Sequence, residues 1–333
     1  MGSSDDHRPT ATLQVLELRA KLLSSMRRFF DERGYFEVDT PLLSHDRVVD
    51  PHLEPFAIAG AAAPLYLQTS PEFGMKRLLT AGARAIYQIG HVFRAHEWGR
   101  LHNPEFTMVE WYRAGDTHVE QMQVVEDLVV AAFRDAQIAR PNTATIPQAP
   151  FLRTTYREAF ERHTGSDVFA LTTGQLVELA RTRGVSIPAS FNADDRDECL
   201  NLLLAELVEP CLGCDRPEFL CDYPASQAAI ARIRPGSPPV AERFELYFAG
   251  IELCNGYHEL TDPAELRLRM DVESQRRVAE GLSPLPVSSR LLAAMDAGLP
   301  ACAGVALGFD RLLMLAVGAT AIAEVIPFAF DRA

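Results

Sequence analysis

Apolar positions near the start of the chain recur at the spacing of an α-helix. Within residues 13–33 the apolar side chains fall on one helical face, and Gly34 follows where a left-handed cap would end the helix. Residues 35–40 are typical of a β-strand, which ends at Pro41 because proline lacks the N–H group that a central strand donates. The pattern predicts an amphipathic helix followed by a strand at a sheet edge or an interface.

Two strand-like segments, 87–94 and 106–113, come next, and the polar stretch 95–105 lies between them. They predict a hairpin with a long loop that faces a ligand. Further helical patterns occur at 117–136, 153–163, 173–183 and 196–209. We therefore predict a helical insertion over roughly residues 114–215.

The last third of the chain returns to strands. Residues 219–223, 244–248 and 251–255 are strand-like, and Ala249-Gly250 predicts a tight turn between the last two. The remaining predicted elements are a helix at 263–280, a strand at 304–308 and a helix at 309–317. Because helices and strands do not alternate regularly, the pattern favours an α+β fold, an antiparallel sheet with helices packed on it, over a doubly wound sheet.

Composition narrows the classes of protein that fit. The chain of 333 residues is 47% hydrophobic and 23% charged, which is typical of a soluble globular protein, and no apolar run approaches the ~20 residues of a membrane-spanning helix. Residues 1–12 predict a polar tail rather than a signal peptide, so we expect a cytoplasmic protein without a membrane partner. Cys211, Cys214 and Cys221 resemble half of a zinc site, but no second pair of ligands follows, which favours free thiols.

The charge of the chain argues against broad binding of nucleic acid. The net charge is -13, whereas a protein that grips phosphates along a nucleic acid needs a basic face. Lys21 and Lys76 are the only lysines, and all other basic side chains are arginines, which genomic base composition explains most simply. We expect no stable binding of tRNA.

Three separated segments carry recognisable motifs. They are Arg33–Pro41, then Phe93–Glu97 with Arg100–Tyr112, and finally Gly304–Arg311. Their order and spacing resemble the three motifs of the class II aminoacyl-tRNA synthetases, and the resemblance covers residues 13–333. It implies one catalytic domain, an antiparallel sheet flanked by helices, and a homodimer built on the first motif.

Other segments narrow the resemblance. Residues 69–72, 75–79, 223–228, 240–244 and 250–262 make the chain similar to the stand-alone lysyl-tRNA synthetase paralogues that join β-lysine to elongation factor P. Only about a dozen residues precede the first predicted helix, so we expect no N-terminal OB-fold domain for an anticodon. The resemblance implies ATP and Mg²⁺ as cofactors and elongation factor P as the protein partner.

The resemblance also implies roles in the nucleotide site. Arg94 would grip the α-phosphate and the carboxylate of the amino acid, and Arg311 would hold the γ-phosphate. Phe106 would stack on adenine, and Glu252 would bind Mg²⁺ with help from Asn255, although strict alternation puts these two on opposite faces unless a bulge or a bend at Gly256 intervenes. The predicted nucleotide contacts are Arg94, Ala95, His96, Glu97, Asn103, Phe106, Glu252, Leu253, Gly308 and Arg311. Read without the resemblance, a lone strand arginine is usually a surface ion pair.

One departure lies inside the second motif. The family reads Phe-Arg-x-Glu, with the acid accepting a hydrogen bond from the adenine amino group, whereas Ala95 and His96 separate Arg94 from Glu97 here. Either the backbone of His96 or the side chain of Glu97 takes that role. Both alternatives stay open at the level of the sequence.

The amino-acid site follows from the same resemblance. Glu259 would bind the distal ammonium group, while Ser70, Glu72 and Tyr112 would contact the other amino group and the stem. Pro71, Asn255 and Ala306 complete the predicted set. Ala306 stands where lysyl-tRNA synthetases usually carry glycine, and its methyl group could shift the preference from lysine to (R)-β-lysine.

The resulting prediction is an ATP-dependent, AMP-forming ligase that activates (R)-β-lysine and transfers it to a lysine side chain of elongation factor P. No residue identifies itself as the proton acceptor in the transfer step. The alternatives are an enzyme that charges tRNA and a catalytically silent, synthetase-like regulator. Arg94, Glu252 and Arg311 argue against the regulator because such proteins usually lose a motif arginine or the metal-binding acid.

Overall fold

A computed structural model describes residues 7–46, 53–60, 64–141, 143–189, 191–279 and 289–333. The chain forms two compact units. The first contains the described residues up to Pro147 and from Glu259 onward, and the second is Gln148–His258. No helix among the described residues has both the length and the apolar character needed to cross a bilayer.

The first unit begins with the predicted helix α1, Leu13–Asp31. The Thr12 hydroxyl accepts a hydrogen bond from the Val15 amide at 3.3 Å, which caps the helix start. Gly34 has φ +76°, as expected for a residue that turns the chain out of a helix. The elements that follow are β1 (Phe36–Glu37), β2 (Leu43–Ser44), β3 (Tyr66–Leu67), α2 (Glu72–Thr80), β4 (Ala85–Phe93), β5 (Glu105–Ala114) and α3 (His118–Ala139).

The second unit combines helices with a sheet. Its elements are β6 (Leu152–Thr155), α4 (Tyr156–Thr164), α5 (Thr173–Thr182), α6 (Arg196–Leu203), β7 (Glu218–Pro224), β8 (Ile233–Arg234), β9 (Val240–Phe248) and β10 (Ile251–His258). The strands pair in the order β10-β9-β7-β6, with β8 also on β9. Ala249 and Gly250 have φ of +53° and +71°, so the predicted turn joins β9 to β10.

The chain then returns to the first unit through α7 (Pro263–Ala279), α8 (Arg290–Asp296), β11 (Cys302–Gly308) and α9 (Phe309–Val317). Its main sheet has the order β1-β4-β5-β11, and its core contains the packed aromatic rings of Phe30, Tyr87 and Trp111. The ring centroids of Phe30 and Tyr87 are 4.7 Å apart. This packing fixes α1 on the sheet, because large buried rings contribute most of the apolar contact.

The predicted α+β class is confirmed, and within each unit the described strands pair mostly in an antiparallel way. β1 runs parallel to β4, and β6 runs parallel to β7. The second unit begins at Gln148 and carries strands as well as helices, whereas the sequence predicts a helical insertion over roughly 114–215. The helix α3 belongs to the first unit.

Candidate active site

Buried carboxylates from three parts of the first unit meet beside the start of α2. Glu110 and Tyr112 lie two residues apart on β5 and therefore point to the same face of the sheet. The Tyr112 hydroxyl donates to Glu110 Oε1 at 2.7 Å, and the Ser70 hydroxyl donates to Glu110 Oε2 at 2.8 Å. Ser70 Oγ also accepts from the amide of Glu72 at 3.0 Å, so one serine joins both acids.

A lysine completes this group. Lys76 Nζ lies 2.6 Å from Glu72 Oε1 and 2.5 Å from Glu259 Oε2, and the Lys76 side chain is 2% exposed. Glu72 and Lys76 are four residues apart on α2, the spacing at which helical side chains meet. We call Ser70, Glu72, Lys76, Glu110, Tyr112 and Glu259 the acidic cluster.

Burial sets the charge of the acidic cluster. It raises the pKa of Glu110 to about 8, and the neighbouring charge of Glu72 adds to this rise. Burial also raises the pKa of Glu259, although Lys76 opposes the rise. Burial alone would lower the pKa of Lys76, but the charges of Glu259 and Glu72 outweigh it and raise the value. Glu110 is therefore mostly protonated at neutral pH, while Lys76 stays charged.

Strand β11, which pairs with β5, places two small residues next to the cluster. Ala306 on β11 lies directly across from Glu110, so the two side chains share one face of the sheet. Gly304 lies across from Tyr112, and a Cβ atom at Gly304 would come within 2.2 Å of Tyr112 Cε1. Only glycine leaves room for the Tyr112 ring here. Pro71 is the residue that directly precedes α2.

The loop between β4 and β5 presents Arg94 at its start. Arg94 Nη1 lies 3.5 Å from Glu97 Oε1, and the guanidinium group stands 5.1 Å from the ring centroid of Phe106. His96 has φ +67°, a left-handed conformation, so the extra residue of this motif is taken up by the turn Ala95-His96. Glu97 thereby lies beside Arg94, and the choice between His96 and Glu97 for adenine stays open.

Arg311 reaches the far end of the same loop from the start of α9. Its Nε donates to the Leu101 carbonyl at 3.3 Å, and its Nη2 lies 2.7 Å from His102 Nε2. Burial, followed by the charge of Arg311, lowers the pKa of His102, so the imidazole is neutral at pH 7 and can accept this hydrogen bond. Gly308, at the end of β11, precedes α9 directly.

Asn103 is held by the backbone on both sides of its amide. Its Nδ2 donates to the Glu105 carbonyl at 2.7 Å, and its Oδ1 accepts from the Phe330 amide at 3.0 Å. These bonds fix the loop next to Phe106. A role in positioning the loop therefore accompanies any contact with a nucleotide.

The remaining predicted residues lie on β10 of the second unit. The pairing of β9 with β10 shifts its register between Glu252 and Cys254, which is the bulge that joint action of Glu252 and Asn255 requires. Asn255 Nδ2 donates to Glu245 Oε1 at 3.2 Å, while Asn255 Oδ1 is buried and has no hydrogen-bond partner among the described residues. Leu253, which lies between Glu252 and Asn255 in the sequence, is buried.

The sequence prediction missed Glu110 and Lys76 as members of the site. Two signals were present in the sequence. Glu110 stands two residues before Tyr112 on the same strand face, and Lys76 is one of only two lysines in the chain and follows Glu72 by four residues. Glu245 was also missed, although the Tyr223 hydroxyl donates to its Oε2 at 2.6 Å and the Tyr247 hydroxyl at 2.7 Å.

Comparisons with known proteins show the family to which the chain belongs. The family model of class II tRNA synthetases (D, K and N) matches residues 5–332. Proteins named elongation factor P--(R)-beta-lysine ligase are similar throughout. The one from Vibrio cholerae is 44% identical over 99% of this chain and 100% of its own length, and the one from Vibrio vulnificus is 45% identical over 98% and 99%. The one from Klebsiella pneumoniae is 43% identical over the full length of both chains. The chain belongs to the class II tRNA synthetase family of the D, K and N type.

Proposed function

We propose that the protein activates (R)-β-lysine with ATP and transfers it to a lysine side chain of elongation factor P. The observation that carries the proposal is the acidic cluster, in which Glu72, Glu110 and Glu259 are buried in one region of the first unit. Buried carboxylates suit a ligand with two ammonium groups, because an unpaired buried charge is costly. The names of the similar proteins suggest (R)-β-lysine as the amino acid and elongation factor P as the acceptor.

The first step requires the ligand carboxylate to attack the α-phosphorus of ATP, which forms the aminoacyl adenylate and releases pyrophosphate. The protein's part is to screen negative charge and align the groups. Arg94 is proposed to hold the α-phosphate and the carboxylate, because its planar guanidinium group can bind both. Arg311 is proposed to hold the γ-phosphate, and Phe106 to stack on adenine.

The proposed Mg²⁺ ligands have suitable chemistry. Mg²⁺ prefers carboxylate and amide oxygens. β10 offers the carboxylate of Glu252 together with the buried Oδ1 of Asn255, which has no hydrogen-bond partner in the part of the chain that the structure describes. The bond from Asn255 Nδ2 to Glu245 fixes which end of the amide is left to accept. The ion would neutralise charge on the phosphates, and both residues would hold it from one strand.

In the proposed amino-acid site, Glu259 binds the distal ammonium group, and Ser70, Glu72 and Tyr112 contact the other amino group. Glu110 joins them, since its carboxyl is already hydrogen-bonded to Ser70 and Tyr112. Ala306 borders Glu110 and would press on a ligand near its reacting end. In the transfer step the acceptor amine attacks the acyl carbon, so an amide forms and AMP leaves.

Pyrophosphate exchange tests the first step. We expect exchange with (R)-β-lysine, a loss of at least roughly a hundredfold for Arg94→Ala, and a raised KM for the amino acid in Glu259→Gln. Arg84 is exposed and lies outside the site, so Arg84→Ala is the matched control and should behave like the wild type. Absence of exchange with every lysine isomer would contradict the proposal and favour a regulator.

A test of the acceptor distinguishes the proposed protein ligase from an enzyme that charges tRNA. Incubation with ATP and labelled β-lysine should label elongation factor P at a lysine side chain and leave tRNA unlabelled. Labelling of tRNA alone would instead support a tRNA-charging enzyme. Mass spectrometry of the acceptor locates the added group and measures its mass.

We also propose a homodimer in the cytoplasm. Phe36, on the edge strand β1, is 53% exposed, and Leu42 and Leu43 in the following segment are 42% and 48% exposed. Exposed apolar side chains grouped at a sheet edge are typical of an interface. Light scattering of the wild type and of Phe36→Asp checks this, and a monomeric wild type would contradict it.

A further inference from the structure

The acidic cluster already contains a cation of its own. Lys76 bridges Glu72 and Glu259, and the ammonium group also lies 5.9 Å from the ring centroid of Tyr112. Glu110 is hydrogen-bonded through its two oxygens to Tyr112 and Ser70. The cluster thus holds three carboxyl groups and one ammonium group.

We propose that Lys76 is a specificity-determining residue whose fixed ammonium group neutralises one of the three carboxylates, so that the cluster is matched to a ligand with two ammonium groups. This inference rests on the proposed function, because it concerns the amino acid bound at that site. With all three carboxyl groups ionised, the cluster and Lys76 carry two net negative charges. A diamino acid supplies two positive charges and leaves no buried charge uncompensated.

The identity of the side chain supports a built-in role. Apart from Lys21 and Lys76, every basic residue of this chain is arginine. An ammonium group is a compact point charge that can bridge two carboxylate oxygens from a single position, whereas a guanidinium group is a broad planar fork. The distances of 2.6 and 2.5 Å to Glu72 and Glu259 fit an ammonium bridge. The position therefore calls for lysine on geometric grounds.

Acceptors for a ligand remain while Lys76 stays in place. Glu259 Oε1 is buried and has no hydrogen-bond partner among the described residues, so one oxygen of that carboxylate is left for an incoming ammonium group. Glu110 holds a proton at neutral pH and can release it when a positive charge arrives. A ligand can thus bind beside Lys76 and does not have to displace it.

Two other titratable side chains near Lys76 and Glu259, those of Cys302 and Tyr112, add no charge to the cluster near pH 7. Burial raises the pKa of Cys302 on β11 to about 12, and burial also raises the pKa of Tyr112 well above its usual value, so both are neutral near pH 7. Within the cluster, Glu110 and Glu259 are the acids whose raised pKa values lie near neutral pH. Removal of Lys76 should raise their affinity for protons, because an opposite charge within a few ångströms favours the ionised carboxylate.

The experiment compares binding of (R)-β-lysine and of lysine to the wild type, Lys76→Met and Arg77→Met by titration calorimetry. Arg77 is the exposed neighbour on the same helix, so Arg77→Met removes a cation without touching the cluster. We expect Lys76→Met to bind the ligand roughly tenfold to a hundredfold more weakly near pH 7, since loss of an opposite charge shifts a carboxylate pKa by about 1–3 units. The deficit should shrink at higher pH, where the competing protons leave, and Arg77→Met should match the wild type.

Three results would overturn the inference. Tighter binding by Lys76→Met would mean that Lys76 competes with the ligand. A deficit that is equal at every pH would mean that Lys76 acts through packing alone, and unchanged binding would mean that it has no role. Lys76→Gln, which is polar and neutral, repeats the comparison if the methionine variant does not fold.

The wild type provides a second measurement. Calorimetry in buffers of different ionisation enthalpy should detect release of about one proton from Glu110 near pH 7, plus a further fraction from Glu259. Release of no proton would contradict the charge balance. If the wild type bound no diamino acid at all, the proposed function would fail, which is a different result from any defect confined to the Lys76 variants.

Discussion

Asp310→Ala removes the carboxylate at the centre of a buried network in the first unit. One Asp310 oxygen pairs with Arg19 Nη1, and the other accepts from the Thr107 amide at 2.8 Å. Arg19 Nη2 also donates to the Thr107 hydroxyl at 2.6 Å, and Nη1 donates to the Val325 carbonyl at 3.3 Å. The side chains of Arg19 and Asp310 are 11% and 2% exposed. The substitution therefore leaves a buried guanidinium group without its counter-ion.

The expected cost follows from that burial. Loss of one partner from a buried ion pair costs about 3–5 kcal/mol, and the orphaned Thr107 amide accounts for part of it, since an unmade buried hydrogen bond costs about 1–3 kcal/mol. We expect the free energy of unfolding to fall by about 3–5 kcal/mol in Asp310→Ala. Glu37→Gln is the control, because the Arg27–Glu37 pair has side chains 42% and 37% exposed and should contribute within about 1 kcal/mol.

Urea denaturation followed by tryptophan fluorescence measures this loss. Both tryptophans, Trp98 and Trp111, lie in the first unit, so the signal reports on the unit that holds the network. The double variant Arg19→Met, Asp310→Ala should recover part of the loss, because no charge is then left unpaired. A loss in Asp310→Ala as small as that of the control, or a double variant that costs the sum of both single changes, would refute the reasoning.

Three further predictions concern the acidic cluster. Glu110 has a folded-state pKa of about 8 against an ordinary value of 4.5, so between these two pH values the folded protein binds a proton that the unfolded chain has lost. The ligand-free protein should therefore lose up to about 1.4 kcal/mol of stability per pH unit as the pH rises from 4.5 to about 8. Melting curves at several pH values check this, and Glu110→Gln should show a flatter dependence on pH than the wild type. Gly304→Ala should raise the KM for the amino acid at least roughly tenfold, because the added methyl group pushes Tyr112 away from Glu110. Gly174→Ala is the control and should leave the KM unchanged, because a Cβ atom there would meet nothing within 4 Å. Equal KM values for the two variants would disprove the steric argument. Ala306→Gly should shift preference from β-lysine towards lysine in pyrophosphate exchange, and an unchanged ratio of kcat/KM values would count against a steric role for the methyl group opposite Glu110.

Local patterns predicted the elements well where each element's own residues decide its structure. The apolar face of α1, the turn at Ala249-Gly250 and the small-residue strand β11 are all present within a few residues of their predicted bounds. The first predicted strand, 35–40, is shorter than expected, since only Phe36 and Glu37 pair with β4. Its length depends on a partner far along the chain, which a local pattern does not contain.

The acidic cluster depends even more on distant partners. Its acids come from the start of α2, from the middle of β5 and from the residue after β10, so the sequence separations exceed any helical or strand period. The resemblance indicated Glu72 and Glu259 but not their shared contact with Lys76. That contact requires α2 to pack beside β5 and the chain to re-enter the first unit at Glu259, which only the folded structure reveals.

The bulge in β10 is another feature that the sequence alone could not predict. Alternation alone puts Glu252 and Asn255 on opposite faces, and the sequence offers a bulge or a bend at Gly256 as equal remedies. The structure has the register shift between Glu252 and Cys254. Pairing with β9 decides between the remedies, because a bulge is a property of two strands rather than one.

Two buried acids in the first unit thus differ in the partners that surround them. Asp310 is fully paired, so its charge stabilises the fold and holds Thr107 and α9 next to Phe106 and Arg311. Glu110 is hydrogen-bonded to Ser70 and Tyr112, and its raised pKa keeps a proton on it at neutral pH. A ligand that brings positive charge should therefore stabilise the protein most at high pH, where the empty cluster is least stable. The ligand-induced rise in Tm should grow with pH in the wild type and stay nearly constant in Glu110→Gln, and a rise independent of pH in the wild type would show that Glu110 does not give up its proton to the ligand.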